Sequence, residues 1–136
     1  MKNLPRFILL DDDLLALTLA RKIIRNYSRR AEIITFSAAK EAIAYIEAND
    51  IMGKHADTVF LTDLHMPEIE GFALLNQMEN TFKALRKRLH IFVLSAGASP
   101  DEIRKVLSYG CVTGFYSKPL SIDYIKEIID CLQYPL

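Results

Sequence analysis

Much that would point to a function is missing from this chain of 136 residues. Lysine plus arginine and aspartate plus glutamate each number 17, and a formal charge of zero gives no general electrostatic reason to bind nucleic acid or an anionic membrane. No apolar run approaches the roughly 20 residues of a membrane-spanning helix. No secretory signal is expected, because the opening MKNLPRFILLDDD carries an apolar run of only four before its acids. The two cysteines, Cys111 and Cys131, make no metal or redox motif and read as reduced cytoplasmic thiols. Linkers, repeats and low-complexity segments are absent. Nor does a glycine-rich phosphate loop follow the first apolar run: DDDLL stands there, and acids at that place repel phosphate unless a metal intervenes.

What is there is ordinary globular composition, 51% hydrophobic and 25% charged, enough for one core and one domain over residues 1–136 with no output domain expected. Short apolar runs alternate with longer amphipathic stretches. Residues 7–10 (FILL), 31–36 (AEIITF), 57–61 (DTVFL), 90–94 (HIFVL) and 114–117 (GFYS) read as strands. Helical spacing predicts helices over 14–27, from a Ser37 cap to about Asn49, over 72–80, from Ser99 to near Gly110, and through Ile122, Ile125, Ile129 and Leu132. The third follows a turn with Met66-Pro67 and Gly71. Ser99-Pro100-Asp101-Glu102 is a marked helix start, with a capping serine, proline in the first turn and acids behind it. The basic run Lys83, Arg86, Lys87 and Arg88 reads as a solvated helix end and loop. Strands alternating with helices predict an α/β fold with a parallel sheet covered on both faces.

In such a sheet, ligands bind beyond the carboxyl ends of the strands. Asp11 and Asp12 follow the first run, Asp63 the third, Ser95 the fourth and Lys118 the fifth. Like charges that close repel, so converging carboxylates need a countercharge. Lys118 supplies one, and a hard divalent cation such as Mg²⁺ suits the rest. A carboxylate can also act as a nucleophile and form an aspartyl phosphate, with ammonium and hydroxyl donors around the transferring group.

The motifs LLDDD, TDLHMPEIEGF, LSAG and YSKPL, in that order and each at a strand end, resemble those of response-regulator receiver domains of two-component signalling, and the likeness runs end to end. The resemblance implies a flavodoxin-like (βα)5 doubly wound sandwich, with the five-stranded parallel sheet in order 2-1-3-4-5, as in the chemotaxis receiver. It implies that Asp63 accepts the phosphoryl group and that Mg²⁺ is held by Asp12 directly, by Asp11 through water, by Asp63 and by the backbone carbonyl of His65. Ser95 then matches the switch hydroxyl, Lys118 the lysine that pairs with the phosphoryl group, Lys118-Pro119 a cis peptide, and Phe115 the aromatic switch. The implied donor is a histidine kinase or histidine phosphotransfer protein. The implied output is a changed surface around the fourth and fifth helices and the fifth strand, read by an unknown downstream protein. Nucleic acid and membrane are not expected partners of this domain, and the chain is expected to be a monomer or a weak phosphorylation-dependent dimer in the cytoplasm. It is expected to assist its own phosphorylation and dephosphorylation without being an enzyme.

Several positions depart from the pattern. Asp13 reads equally as a helix cap or as a residue tuning access to the pocket. Leu14 replaces a frequent proline, and Phe115 lacks the usual tyrosine hydroxyl. One extra residue near Val112-Thr113 unsettles the approach to the fifth strand. His65 and Gly97 fall where the family varies its dephosphorylation rate, and the histidine side chain either positions water or shields the acyl phosphate. His55 and His90 read as surface or strand-flanking residues. Three rival functions are an aspartyl-nucleophile phosphatase, a nucleotide-binding module and a receiver-like interaction domain that no longer takes phosphate. The first wants a second acid where His65 stands, and the second wants the missing glycine loop.

Overall fold

A strand buried on both faces has no polar face to present, so its sequence runs apolar without alternation. The first run obeys this. In the computed structural model, which describes residues 5–48, 57–65, 71–81 and 88–133, β1 (Arg6–Leu10) sends Ile8 and Leu10 to one face and Phe7 and Leu9 to the other. The remaining elements follow in order: α1 (Leu14–Tyr27), β2 (Ile33–Phe36), α2 (Ala39–Ala48), β3 (Thr58–Thr62), α3 (Gly71–Thr81), β4 (Leu89–Ser95), α4 (Pro100–Ser108), β5 (Val112–Ser117) and α5 (Ile122–Gln133). All strand pairs are parallel and the order is β2-β1-β3-β4-β5, the flavodoxin-like order expected. One core layer joins Ile8, Leu10, Phe60, Ile91 and Val93 to α2, α3 and Val106 of α4. The other joins Phe7, Leu9, Val59, Leu61, Phe92 and Leu94 to α1 and α5. Among the described residues no helix is long and apolar enough to cross a membrane.

Some boundaries move. The second strand begins at Ile33 rather than residue 31, and the third is shifted one residue to Thr58–Thr62. The second helix begins at Ala39, with Ala38 O accepting the Ala42 N–H, so Ser37 stands outside the capping place it was expected to fill. Asn49, His55, Met66-Pro67 and most of the basic run lie outside the described residues. His90 sits in β4, its Nε2 3.1 Å from Asp57 Oδ1, an electrostatic contact at the start of β3. Ser99 is a full capping box: its Oγ accepts from Glu102 N and its own N–H donates to Glu102 Oε1.

The extra residue before the fifth strand lies within the sheet. The strand starts at Val112, two residues earlier than expected, and the register jumps from Ile91 opposite Val112 to Phe92 opposite Gly114. Thr113 is therefore a bulge. Three residues apart, Val112 and Phe115 would face opposite ways in a regular strand, yet both pack on the core layer of α2 to α4. The bulge restores the alternation. Gly114 stands beside it, where a Cβ would come 3.2 Å from the Phe92 ring and the ring would have to give by a few tenths of an ångström.

Candidate functional site

Backbone bonding continues one residue past the strands and places the polar side chains. Asp11 N donates to Phe36 O at 3.1 Å, Asp63 N to Leu10 O at 3.1 Å, and Lys118 N to Ser95 O at 3.0 Å. Residues that follow paired strand ends thus become neighbours, though they lie far apart in the chain. Carboxylate oxygens of Asp11, Asp12 and Asp63 all come within 4.8 Å of one another. Lys118 Nζ donates to Asp11 Oδ2 at 2.5 Å and to Asp63 Oδ2 at 3.0 Å.

The other oxygen of each carboxylate is held by backbone. Asp11 Oδ1 accepts from Asp13 N at 2.9 Å, and Asp63 Oδ1 accepts from Leu64 N at 2.7 Å and His65 N at 3.4 Å. Both side chains are nearly buried while Asp12 is exposed. Leu9, Leu17, Leu61 and Leu120 line a cavity of about 120 Å³ that also touches Asp11, Asp63 and Lys118. Its apolar walls raise the local strength of these charged contacts. Burial pulls the Lys118 ammonium toward the neutral form, but its bonds to Asp11 and Asp63 outweigh that, and its pKa is raised.

Ser95 ends β4, 1% exposed, and its Oγ has no hydrogen-bond partner among the described residues. A buried hydroxyl without a partner is costly and calls for an explanation. Gly97, at φ 71°, turns the chain just beyond it. Phe115 pairs with Val93 and lies half-buried on the core, within β5 and not among the carboxylates. The Lys118-Pro119 peptide is cis. Asp13 caps α1, its side chain accepting from Leu15 N and Ala16 N, as its capping reading has it.

Two participants escape a linear reading. Thr62 Oγ1, buried, donates to Asp63 O at 3.0 Å and braces the residue carrying the central carboxylate. Glu102 brings Oε2 to 3.6 Å from Nε2 of the exposed His65. The capping-box pattern marks Glu102 as a helix-start residue, but nothing in a linear pattern tells where its second oxygen points.

Three carboxylates against one ammonium leave two negative charges uncompensated. An all-oxygen set with that deficit fits a hard divalent cation.

A family model for the response regulator receiver domain matches residues 7–130. This chain belongs to the response-regulator receiver family. It is 25% identical over 123 residues to the two-component response regulator ARR2 of Arabidopsis thaliana, covering 90% of this chain but 17% of that protein. The chain therefore spans only a small part of that relative's length. Against the sporulation initiation phosphotransferase F of Bacillus subtilis (strain 168) it is 27% identical over 95 residues, 70% of this chain and 69% of the relative. The fold matches the crystal structure of a two-component response regulator from Cytophaga hutchinsonii with a TM-score of 0.87 at 23% identity, covering 97% of this chain and 98% of that one.

Proposed function

We propose that this receiver takes a phosphoryl group onto Asp63 from a phosphohistidine of a histidine kinase or histidine phosphotransfer protein, with Mg²⁺ bound, and relays the change to a downstream protein. The observation that carries the reading is the Lys118 ammonium bridging Asp11 Oδ2 and Asp63 Oδ2 at the end of the sheet where the buried Ser95 hydroxyl lies. One carboxylate oxygen of Asp63 attacks phosphorus. The P–N bond to the donor imidazole breaks, and its electron pair stays on the imidazole nitrogen. The backbone N–H groups of Leu64 and His65 and the brace from Thr62 orient the attacking carboxylate. Lys118 offers its positive charge to the phosphoryl oxygens.

Asp11, Asp12, Asp63 and the carbonyl of His65 would hold Mg²⁺. Its chemistry, when bound, is to neutralise charge on the transferring group. Ser95, whose hydroxyl has no partner among the described residues, then gains an acceptor, and Phe115 follows, so that the surface of α4, β5 and α5 shifts between two populations. On this reading the chain is a cytoplasmic phosphoacceptor and not an enzyme with a separate substrate.

The test is intact mass after incubation with acetyl phosphate and Mg²⁺, beside Asp63→Asn and an EDTA control. A single phosphoryl adduct is expected, absent from both controls. No adduct, with Mg²⁺ binding demonstrated separately, would favour a phosphate-independent interaction domain.

A further inference from the structure

Polar residues mark the carboxyl end of the sheet, yet much of what lies beside them is leucine. The cavity of about 120 Å³ lies between α1 and the sheet, walled by Leu17, Leu61, Leu94 and Leu120. Asp11, Asp63 and Lys118 line it too. Leu19 is a further lining residue and is 50% exposed, so the cavity reaches solvent at that rim. Leu15, one turn before Leu19 and also exposed, continues the apolar surface outward. We propose that this cavity binds a small organic ammonium, an apolar body of about six carbons carrying a protonated amine, in competition with Mg²⁺. The inference goes beyond the proposed function: binding needs no phosphoryl group, and only its consequence, an Asp63 deprived of its cation, rests on that reading.

Size and lining choose the body. A cavity of about 150 Å³ walled by leucine, isoleucine and phenylalanine stays dry and takes benzene. Leucine walls offer water no hydrogen bonds, whereas an apolar body both covers them and sheds its own hydration.

Charge chooses the head. Lys118 already bridges Asp11 Oδ2 and Asp63 Oδ2, so an anionic head would meet two carboxylates along with the ammonium. A neutral head would leave the excess negative charge as it was. Asp11, Asp12 and Asp63 carry three negative charges against the one positive charge of Lys118, and attraction for a cation is strengthened where leucines exclude water. A carboxylate has about four lone-pair sites. Among the described residues Asp11 accepts two hydrogen bonds and Asp63 three, so each has room for one more donor. Mg²⁺ would draw on the same carboxylates, and each ligand must then weaken the other by the same factor.

The experiment titrates the protein with benzylamine, benzyl alcohol and methylamine at neutral pH and follows leucine methyl signals by NMR. The alcohol keeps the ring without the charge, and methylamine keeps the charge without the ring. Benzylamine should shift the methyls of Leu17, Leu61, Leu94 and Leu120 and bind at least about tenfold more tightly than either control. Saturating Mg²⁺ should weaken it at least about fivefold. Ala16 also lines the cavity. Ala16→Leu, which adds bulk there, should weaken benzylamine about tenfold while the Mg²⁺-induced shift of the Asp12 amide persists. Benzyl alcohol binding as tightly as benzylamine would overturn the proposal, leaving an apolar pocket indifferent to charge. Methylamine binding as tightly would overturn it too, leaving the acids alone as the attractor. So would benzylamine binding that Mg²⁺ does not weaken. These comparisons use wild type and stand whether or not Ala16→Leu folds. If Mg²⁺ by itself shifts no signal at Asp12 or Asp63, the proposed function falls, while the three probes still decide the pocket.

Discussion

Lys118 and Asp11 are 107 positions apart in the chain and 2.5 Å apart in the fold. That contact, shared with Asp63, gathers three strand ends into one charged unit. The same ammonium balances two carboxylates that would otherwise face each other with little water around them.

Lys118→Ala should therefore lower Tm by several degrees, and Mg²⁺ should raise the Tm of the variant more than that of wild type, since the cation then meets more uncompensated charge. The Lys118 pKa is raised in the fold. Its contribution is fully present below the unfolded lysine value of about 10.4 and is lost only as pH rises through the higher folded value. The Tm gap should stay level between about pH 7 and pH 10 and close above that. Thermal melts across this range check both statements. Intact mass should still find a phosphoryl adduct, while the chemical-shift response of β5 to it is lost.

Ser95→Ala removes a buried hydroxyl that has no partner among the described residues. Stability should stay within about 1 kcal/mol of wild type or rise, because no hydrogen bond is forfeited. The response of the Phe115 ring to a beryllofluoride mimic should disappear. Denaturant unfolding and ring NMR signals report the two separately. A large loss of stability would show that the hydroxyl already has a partner in solution.

Asp13→Ala should cost about 1 kcal/mol through lost capping of α1, and Asp13→Asn should cost little, since an amide oxygen caps as well. The variants should still acquire the phosphoryl group on Asp63. Urea denaturation gives the first comparison and intact mass the second.

Tyr116 donates to Glu127 Oε1 at 3.2 Å and sits against the rings of Phe92 and Tyr124. Burial, then the Glu127 charge, push its pKa up to about 12. The fold thus favours the neutral phenol, and this contribution is present below the unfolded value of about 10 and lost between about pH 10 and 12. Stability should fall across that window, and less steeply in Tyr116→Phe. Absorbance of tyrosinate should show a late-titrating group that the variant lacks.

Most of this site was legible because strands buried on both faces read as unbroken apolar runs, so the residue that ends each run announces itself. Asp11 and Asp63 follow such runs and Ser95 closes one, while Lys118 follows the half-exposed outer strand β5, and the parallel sheet brings all four to one edge. Legibility failed where local signals compete or where a contact is purely tertiary. Ser37 looked like a cap, but the chain enters α2 one residue later at Ala38. The start of β5 was hidden because Thr113 breaks the period of two on which strand reading depends. A cap and a pocket-side acid look alike at Asp13, and only the fold brings its oxygen to Leu15 N. The approach of Glu102 to His65 joins two loops and leaves no trace in spacing.

The bulge at Thr113 also bears on self-association. Among the described residues β5 is an outer strand of the sheet, paired with β4 along one rim only. A flat, evenly spaced rim is a template on which a second copy of the chain can zip, strand to strand. Here the register skips at Thr113, directly before a glycine, and a bulge of this kind bends a strand and sharpens its twist. An incoming strand could match the donors on one side of the skip or the other, but not both.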